Sequence, residues 1–585
     1  MVQLVALSPP GRFPTVVRDP GAWWSAVEQA WPAIDRPGLN SGWWRTLCDP
    51  ASVELLAPGR LGGLRMDRRR AERSAPPADA SLTRFSHVET YQSAPGYRSA
   101  VAGLARHLDA LNSLDPALEF SPGAGVRVTN MAYGSSRDLV DYARADTPLA
   151  RIIGRALDGL AIAGDAALVD VSSPEDLLTG LITIRLLRAR GQIGYAALVD
   201  HGYENFSLTP HLAALRTAGT LDAIFDAIVE EKDDREVLVP RIVEALAAGR
   251  PLRGYLRLDP AERARLAAVS TPAVDSVAPP HPTFAPWPIL FSRVSQRRCY
   301  WARCTFCVHN LKYADRSAPS LSEVPRAVEH LRAAAAAGYR QAILSDEALS
   351  PAMLGELGSA ILADGLLDDH PSFRWACRSK LERAHDSQLL ALLGRAGCVE
   401  ILFGLESTSD RVLGMMDKRS PGLTTDEVRR ILGEMDAAGI GAHANIIVGF
   451  PGETLVEARA TIAFLADALA PLHNATYQVN PFALFAGTPI AQDPGRFGID
   501  LLEADGDIAW ELPYAPRTAA ARESAEVRAL QPDLGDWLAS RLGWHGSATD
   551  RPARLAQALY FGTGHGLVFK ASGHNPMDRS LSHVA

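Results

Sequence analysis

The chain has 585 residues, 47% of them hydrophobic, and a formal net charge of −8, enough for about two to four domains with sizeable cores. The acidic balance gives no global attraction to nucleic acid, and the basic run Arg65–Arg73 reads as a solvated face. No apolar run reaches the roughly 18 residues of a membrane span, Met1–Pro10 lacks the basic start and cleavage site of a secretion signal, and six cysteines in this length argue against a disulfide framework. The expected compartment is the cytoplasm.

Val2–Leu7 reads as an opening strand, with Ser8-Pro9-Pro10 as its loop. The pairs Trp23-Trp24 and Trp43-Trp44 read as core or lid packing, and Ser74–Ser81 as loop. From about residue 148 the pattern becomes regular. A helix at Leu149–Leu160 leads to a strand at Ala166–Asp170, and Ser172-Ser173-Pro174-Glu175 starts a second helix, Leu177–Arg190, that ends at Gly191. A strand at Tyr195–Asp200, a short helix at Leu212–Ala218, a strand-like run at Leu221–Val229 and a helix at Val237–Ala248 complete the series. Strands alternating with helices at this spacing imply a parallel sheet, which binds ligands at its carboxyl edge.

Residues 256–288 turn proline-rich and read as a linker or surface strap. Ile289–Ser292 is then the strand that delivers Cys299-Tyr-Trp-Ala-Arg-Cys304-Thr-Phe-Cys307, half of the cysteines within one short loop. Three thiols so placed form a metal site. With His309 as fourth ligand they make a zinc knuckle. Alone, they hold three irons of a [4Fe-4S] cube and leave the fourth open for chemistry. Cys48, Cys377 and Cys398 read as buried small hydrophobes.

Downstream, one unit repeats: a helix ends at a glycine, a buried strand follows, and a glutamate closes it. It runs from Gly338 through Ala342–Leu344 to Asp346-Glu347, from Gly397 through Ile401–Phe403 to Glu406, and from Gly439 through Ala444–Val448 to Gly449-Phe-Pro-Gly-Glu453. Phe373–Arg378 and Thr476–Asn480 fit as further strands of a partial barrel. Carboxylates at the carboxyl ends of such strands mark the active face. His443 and Asn445 share one face of their strand, with Tyr477 and Asn480 expected beside them; if that side is the barrel interior they are substrate or cofactor contacts, and otherwise satisfied polar groups. Residues 491–585 suggest a compact cap over the barrel mouth, with His565 structural.

The cysteine loop, with Phe306 between its last two thiols, resembles that of the radical S-adenosylmethionine (SAM) enzymes. Their usual spacing is Cys-x3-Cys-x2-Cys, and here one more residue separates Cys299 from Cys304. Phe403-Gly-Leu-Glu-Ser407, Ile447–Glu453 and Phe482–Pro489 resemble, in order, segments of the group with an N-terminal cobalamin (B12)-binding domain. The Ser-Pro-Pro loop, Val171-Ser-Ser-Pro-Glu175 and Leu221–Glu231 resemble that domain. It has no Asp-x-His-x-x-Gly, and Asp200-His201-Gly202 replaces a frequent glycine pair.

The resemblance implies an α/β protein: a Rossmann-like, doubly wound B12-binding-like domain over residues 1–255, the linker 256–288, a partial (β/α)6 radical SAM barrel over 289–490 and a small C-terminal domain over 491–585. It implies a [4Fe-4S] cluster on Cys299, Cys304 and Cys307, with SAM cleaved reductively to a 5′-deoxyadenosyl radical. Phe306 would pack near the adenine, Asp346 and Glu347 would meet the methionine amine, Glu406 the ribose or amine, and Arg378 the carboxylate. Gly449 and Glu453 complete the SAM contacts, while Ser172, Ser173, Asp200, His201 and Gly202 would face cobalamin. The implied reaction is methyl transfer from cobalamin to an unactivated carbon of a natural product or peptide, with flavodoxin or ferredoxin as electron donor. Alternatives are a radical SAM rearrangement, dehydrogenation or ring closure without cobalamin, and a zinc-stabilised binding scaffold.

Overall fold

In the computed structural model the described residues run from 94 to 542 with internal gaps, the longest being 201–207, 263–288 and 310–323, and include scattered positions before 94. Two parallel sheets form the frame. The first begins with β1 (Leu4–Leu7) and β2 (Ile34–Asp35), after which β3 (Leu118–Ser121) and β4 (Gly125–Val128) form a separate antiparallel hairpin. The sheet resumes with β5 (Ala166–Val171), β6 (Tyr195–Asp200), β7 (Ala227–Val229) and β8 (Gly254–Leu256). Its order is β2-β1-β5-β6-β7-β8, parallel throughout.

The order reverses between β1 and β5. In open α/β sheets the loops leaving neighbouring strands diverge at such a switch point, which is where ligands are accepted. Val171 ends β5 there, and Ser173 caps the helix Pro174–Ala189 by accepting from the Asp176 amide at 3.1 Å. Ser172 lies outside the described residues.

The expected strand over 221–229 is shorter than its apolar content suggests. Leu221, Ile224 and Phe225 recur at the helical period of 3 and 4, so Leu221–Ala223 forms a 3-10 turn whose carbonyl at Leu221 accepts from the amides of Ile224 and Phe225 at 3.0 and 2.9 Å. Only Ala227–Val229 joins the sheet. Its acidic neighbours are paired: Asp226 with Arg188 and Arg253, and Glu230 with Arg216.

The second sheet runs β9 (Ile289–Ser292), β10 (Gln341–Leu344), β11 (Arg374–Ser379), β12 (Cys398–Glu406), β13 (Gly441–Val448) and β14 (Ala475–Pro481). Neighbours in space are neighbours in sequence, and all pair in parallel. Helices between strands cover the outer face, as in a partial (β/α) barrel. Trp375 shows how this layer closes: its ring is fully buried, and its Nε1 donates to the Ala396 carbonyl at 2.7 Å.

The C-terminal part, as far as it is described, packs on the barrel. The strands β15 (Ile499–Leu501) and β16 (Tyr514–Pro516) pair antiparallel. The helices Ala519–Ala529 and Gln531–Leu542 then continue the barrel's outer layer, with Val527, Leu534 and Leu538 joining its core. Their apolar residues recur at helical spacing, so they need a neighbouring face to cover. One loop of this region reaches the other domain. Ile508 is fully buried in the core of the first sheet, Asp507 accepts from the Ser136 amide and hydroxyl at 2.7 and 2.6 Å, and the Ile508 amide donates to the Gly134 carbonyl at 2.7 Å.

Candidate active site

Cys299, Cys304 and Cys307 stand on one loop beyond the carboxyl end of β9, each partly buried and none in a disulfide. The extra residue of the loop is absorbed as a bulge. Ala302 takes φ +53, a left-handed conformation costly for a residue with a Cβ, and the turn that follows closes with the Cys307 amide on the Cys304 carbonyl at 3.2 Å.

The bulge places the loop's side chains against Met415–Lys418. Trp301 Nε1 donates to the Asp417 carbonyl at 2.7 Å and Arg303 pairs with the Asp417 carboxylate at 2.7 Å. The Thr305 amide and hydroxyl reach the carbonyls of Met416 and Met415 at 3.0 and 3.2 Å. Lys380 Nζ stands 3.9 Å from the Trp301 ring centroid and Arg303 Cζ 4.8 Å, both within cation–π range. Tyr300 donates to Glu382 at 2.8 Å.

Burial pushes the Cys299 and Cys304 thiols up, while Lys418 pulls both down. A bound metal reverses the first effect, because ligation deprotonates the thiol outright. Among the described residues no three His, Cys, Asp or Glu side chains are grouped closely enough to hold one ion. Three partly buried thiols on one loop are the donor set that a four-iron cube takes with its fourth iron left open, so the residues present fit the cluster.

The other expected residues divide. Glu406 ends β12 at φ +60, 6% exposed, with Oε1 on Lys418 Nζ at 2.5 Å. Phe306 lies edge-on to Phe450, centroids 6.5 Å apart, with Lys418 Nζ 5.8 Å from its centroid. Arg378 is half-buried near the end of β11. Glu347 pairs with Arg293 at 2.9 Å. Asp346 is fully buried and accepts from the Val294 amide at 2.9 Å, so it ties the exit of β9 to β10 instead of standing in the barrel mouth. Gly449, at φ +77, is needed for packing: a Cβ there would strike the backbone of Arg528. Glu453 turns back into its own loop and accepts from the Gly449 amide at 2.6 Å. Asp200 ends β6, its side chain not described; His201 and Gly202 lie outside the described residues.

His443 is fully buried and bonded to Thr476 at 2.7 Å and Asn445 at 3.0 Å, so it is a satisfied polar residue. Tyr477 does not join Asn480. An odd spacing on a strand puts the two on opposite faces, and Tyr477 packs into the core under the helices.

Two lysines escaped the sequence reading. Lys380 follows β11 directly, so the rule that flagged carboxylates at strand ends would have flagged it. Lys418 carries no such mark. Burial works against its charge, but Glu406 and the nearby thiols push its ammonium up overall.

Six parallel strands with a three-thiol loop beyond the first form a partial barrel that carries the thiols at its carboxyl rim. Residues 294–465 match the profile of the Radical SAM superfamily, a match to one domain of the chain. Such a domain implies a [4Fe-4S] cluster and SAM. The chain is also 25% identical over 274 residues to the uncharacterized methyltransferase PH0819 of Pyrococcus horikoshii, a match spanning 45% of this chain and 56% of that protein. Among solved structures it is similar to the radical SAM methyltransferase TsrM from Kitasatospora setae (16% identity, TM-score 0.47, 66% of this chain and 81% of that one). It is also similar to the cobalamin-dependent SAM radical enzyme OxsB (14% identity, TM-score 0.46, 71% and 64%).

Proposed function

We propose that the protein is a cytoplasmic, cobalamin-dependent radical SAM enzyme that methylates an unactivated carbon of a natural product or peptide, with a flavodoxin or ferredoxin as reductant. The observation that carries the radical chemistry is the three-thiol loop, bulged at Ala302 and seated at the carboxyl rim beside Glu406. When bound, the cluster supplies an electron to SAM. The chain's own residues orient the cofactor: Phe306 for the adenine, Glu406 and Glu347 for the hydroxyls and amine, and Arg378 for the carboxylate, an ion-pair assignment matched to each group's charge.

Cobalamin is supported by the first sheet. Its switch point between β1 and β5 is where such sheets accept ligands, and there β1, ending at Leu7, pairs with β5, which ends at Val171 just before the Ser173 helix cap. The name of the Pyrococcus relative, a methyltransferase, points the same way. A second reading drops cobalamin and leaves a rearrangement, dehydrogenation or ring closure; it is favoured by Asp200-His201-Gly202 where a glycine pair would leave more room.

The test is anaerobic reconstitution with added hydroxocobalamin, desalting, and a visible spectrum of the protein fraction. Retention of about one corrin per chain supports the methyltransferase. A cluster spectrum without a corrin band leaves the second reading.

A further inference from the structure

The barrel interior beside the cysteine loop holds an ion pair that none of the sequence motifs explains. Lys418 Nζ meets Glu406 Oε1 at 2.5 Å, with the two side chains 13% and 7% exposed. The backbone is shaped around the pair. Gly404 lies against it, and a Cβ there would collide with both Nζ and Oε1. The ladder between β12 and β13 slips between Gly404 and Glu406, and Glu406 itself is left-handed at φ +60. Non-glycine residues in that region are strained and persist where surroundings over-determine them.

Lys418 is delivered by the loop it faces. Asp417, at φ +49, is gripped by Trp301 and Arg303, and Met415 and Met416 by Thr305. The next residue is therefore fixed relative to the thiols by the thiols' own neighbours. Its Nζ stands 5.8 Å from the centroid of Phe306, the residue before Cys307.

We propose that Lys418, anchored by Glu406, is a positioning residue that provides the fixed cation of the cluster site and raises the cluster's reduction potential. This rests on the radical SAM reading of the barrel. A cube in the 2+ state with three thiolates carries net negative charge, and reduction adds another. A cation held in a site shielded from water favours the more negative state, since the attraction is weakly screened there.

The experiment compares E406Q with the double variant K418M/E406Q, so that neither leaves an uncompensated buried carboxylate. Iron and sulfide are assayed first, then the midpoint potential is read by a redox titration followed by electron paramagnetic resonance, without SAM. At a fixed potential near the midpoint, the ratio of reduced to oxidised cluster should be at least tenfold lower in the double variant, which is 59 mV for a one-electron couple. K418R/E406Q should return to the E406Q value. Loss of the cluster in K418M/E406Q with retention in K418R/E406Q also supports the proposal, as a need for the cation to hold the thiolates. Equal potentials in fully loaded E406Q and K418M/E406Q overturn it. A wild-type chain that takes up no iron and sulfide overturns the radical SAM reading instead.

Discussion

Replacing Glu453 by glutamine isolates the cost of burying one charge. The carboxyl is 1% exposed, one oxygen accepts from the Gly449 amide at 2.6 Å, and the other has no partner among the described residues. Burial pushes its pKa from 4.5 up to about 7, against the Gly449 and Phe450 backbone bonds that pull it down. The folded protein thus holds the proton more tightly than the unfolded chain. Stability from this group is fully present below pH 4.5 and is lost as pH rises toward 7. At about 1.4 kcal/mol per pH unit, that interval corresponds to about 3 kcal/mol. The glutamine oxygen can keep the Gly449 bond and carries no charge. E453Q should therefore melt above the wild type at pH 8, with a gap on the order of 6–12 °C for a barrel-sized unit, and the gap should shrink steadily toward pH 5. Melting curves of both proteins at pH 5, 6, 7 and 8 read this directly. A gap independent of pH, or widest at pH 5, would refute the reasoning.

Three further substitutions probe the loop and the domain junction. A302G relieves the left-handed strain at the bulge by about 1 kcal/mol and should slow loss of iron to a chelator, whereas A302V should accelerate it. W301F keeps the ring over Lys380 but removes the bond to the Asp417 carbonyl, so it should cost about 0.5–1.5 kcal/mol, seen as a lower melting temperature of the reconstituted protein. D507A strips the acceptor from the Ser136 amide and hydroxyl, a loss of about 1–3 kcal/mol. It should speed proteolytic release of an N-terminal fragment while leaving the iron content unchanged.

Much of the frame is legible because buried parallel strands are short, continuously apolar and preceded by helix-ending glycines. Ala342–Leu344, Ile401–Phe403 and Ala444–Val448 announce themselves this way, as does the thiol loop that follows β9. What escapes depends on parity, period or distance. Leu221, Ile224 and Phe225 are equally apolar as strand or turn, and only their spacing decides. Tyr477 and Asn480 are near in sequence yet on opposite faces of β14. Asp346 looks like a free rim carboxylate until the Val294 amide, 52 residues away, claims it. Lys418 reaches the thiol loop through contacts that pair Arg303 with a residue 114 positions on, and no local pattern records that.

The central claim is that Cys299, Cys304 and Cys307 hold a [4Fe-4S] cluster. The direct test is the iron, sulfide and zinc content of anaerobically reconstituted protein, measured beside C299S, C304S and C307S. About four iron and four sulfide per wild-type chain are expected, with loss of most of both in each variant. About one zinc per chain without sulfide, or iron and sulfide that survive the loss of any one thiol, would contradict it.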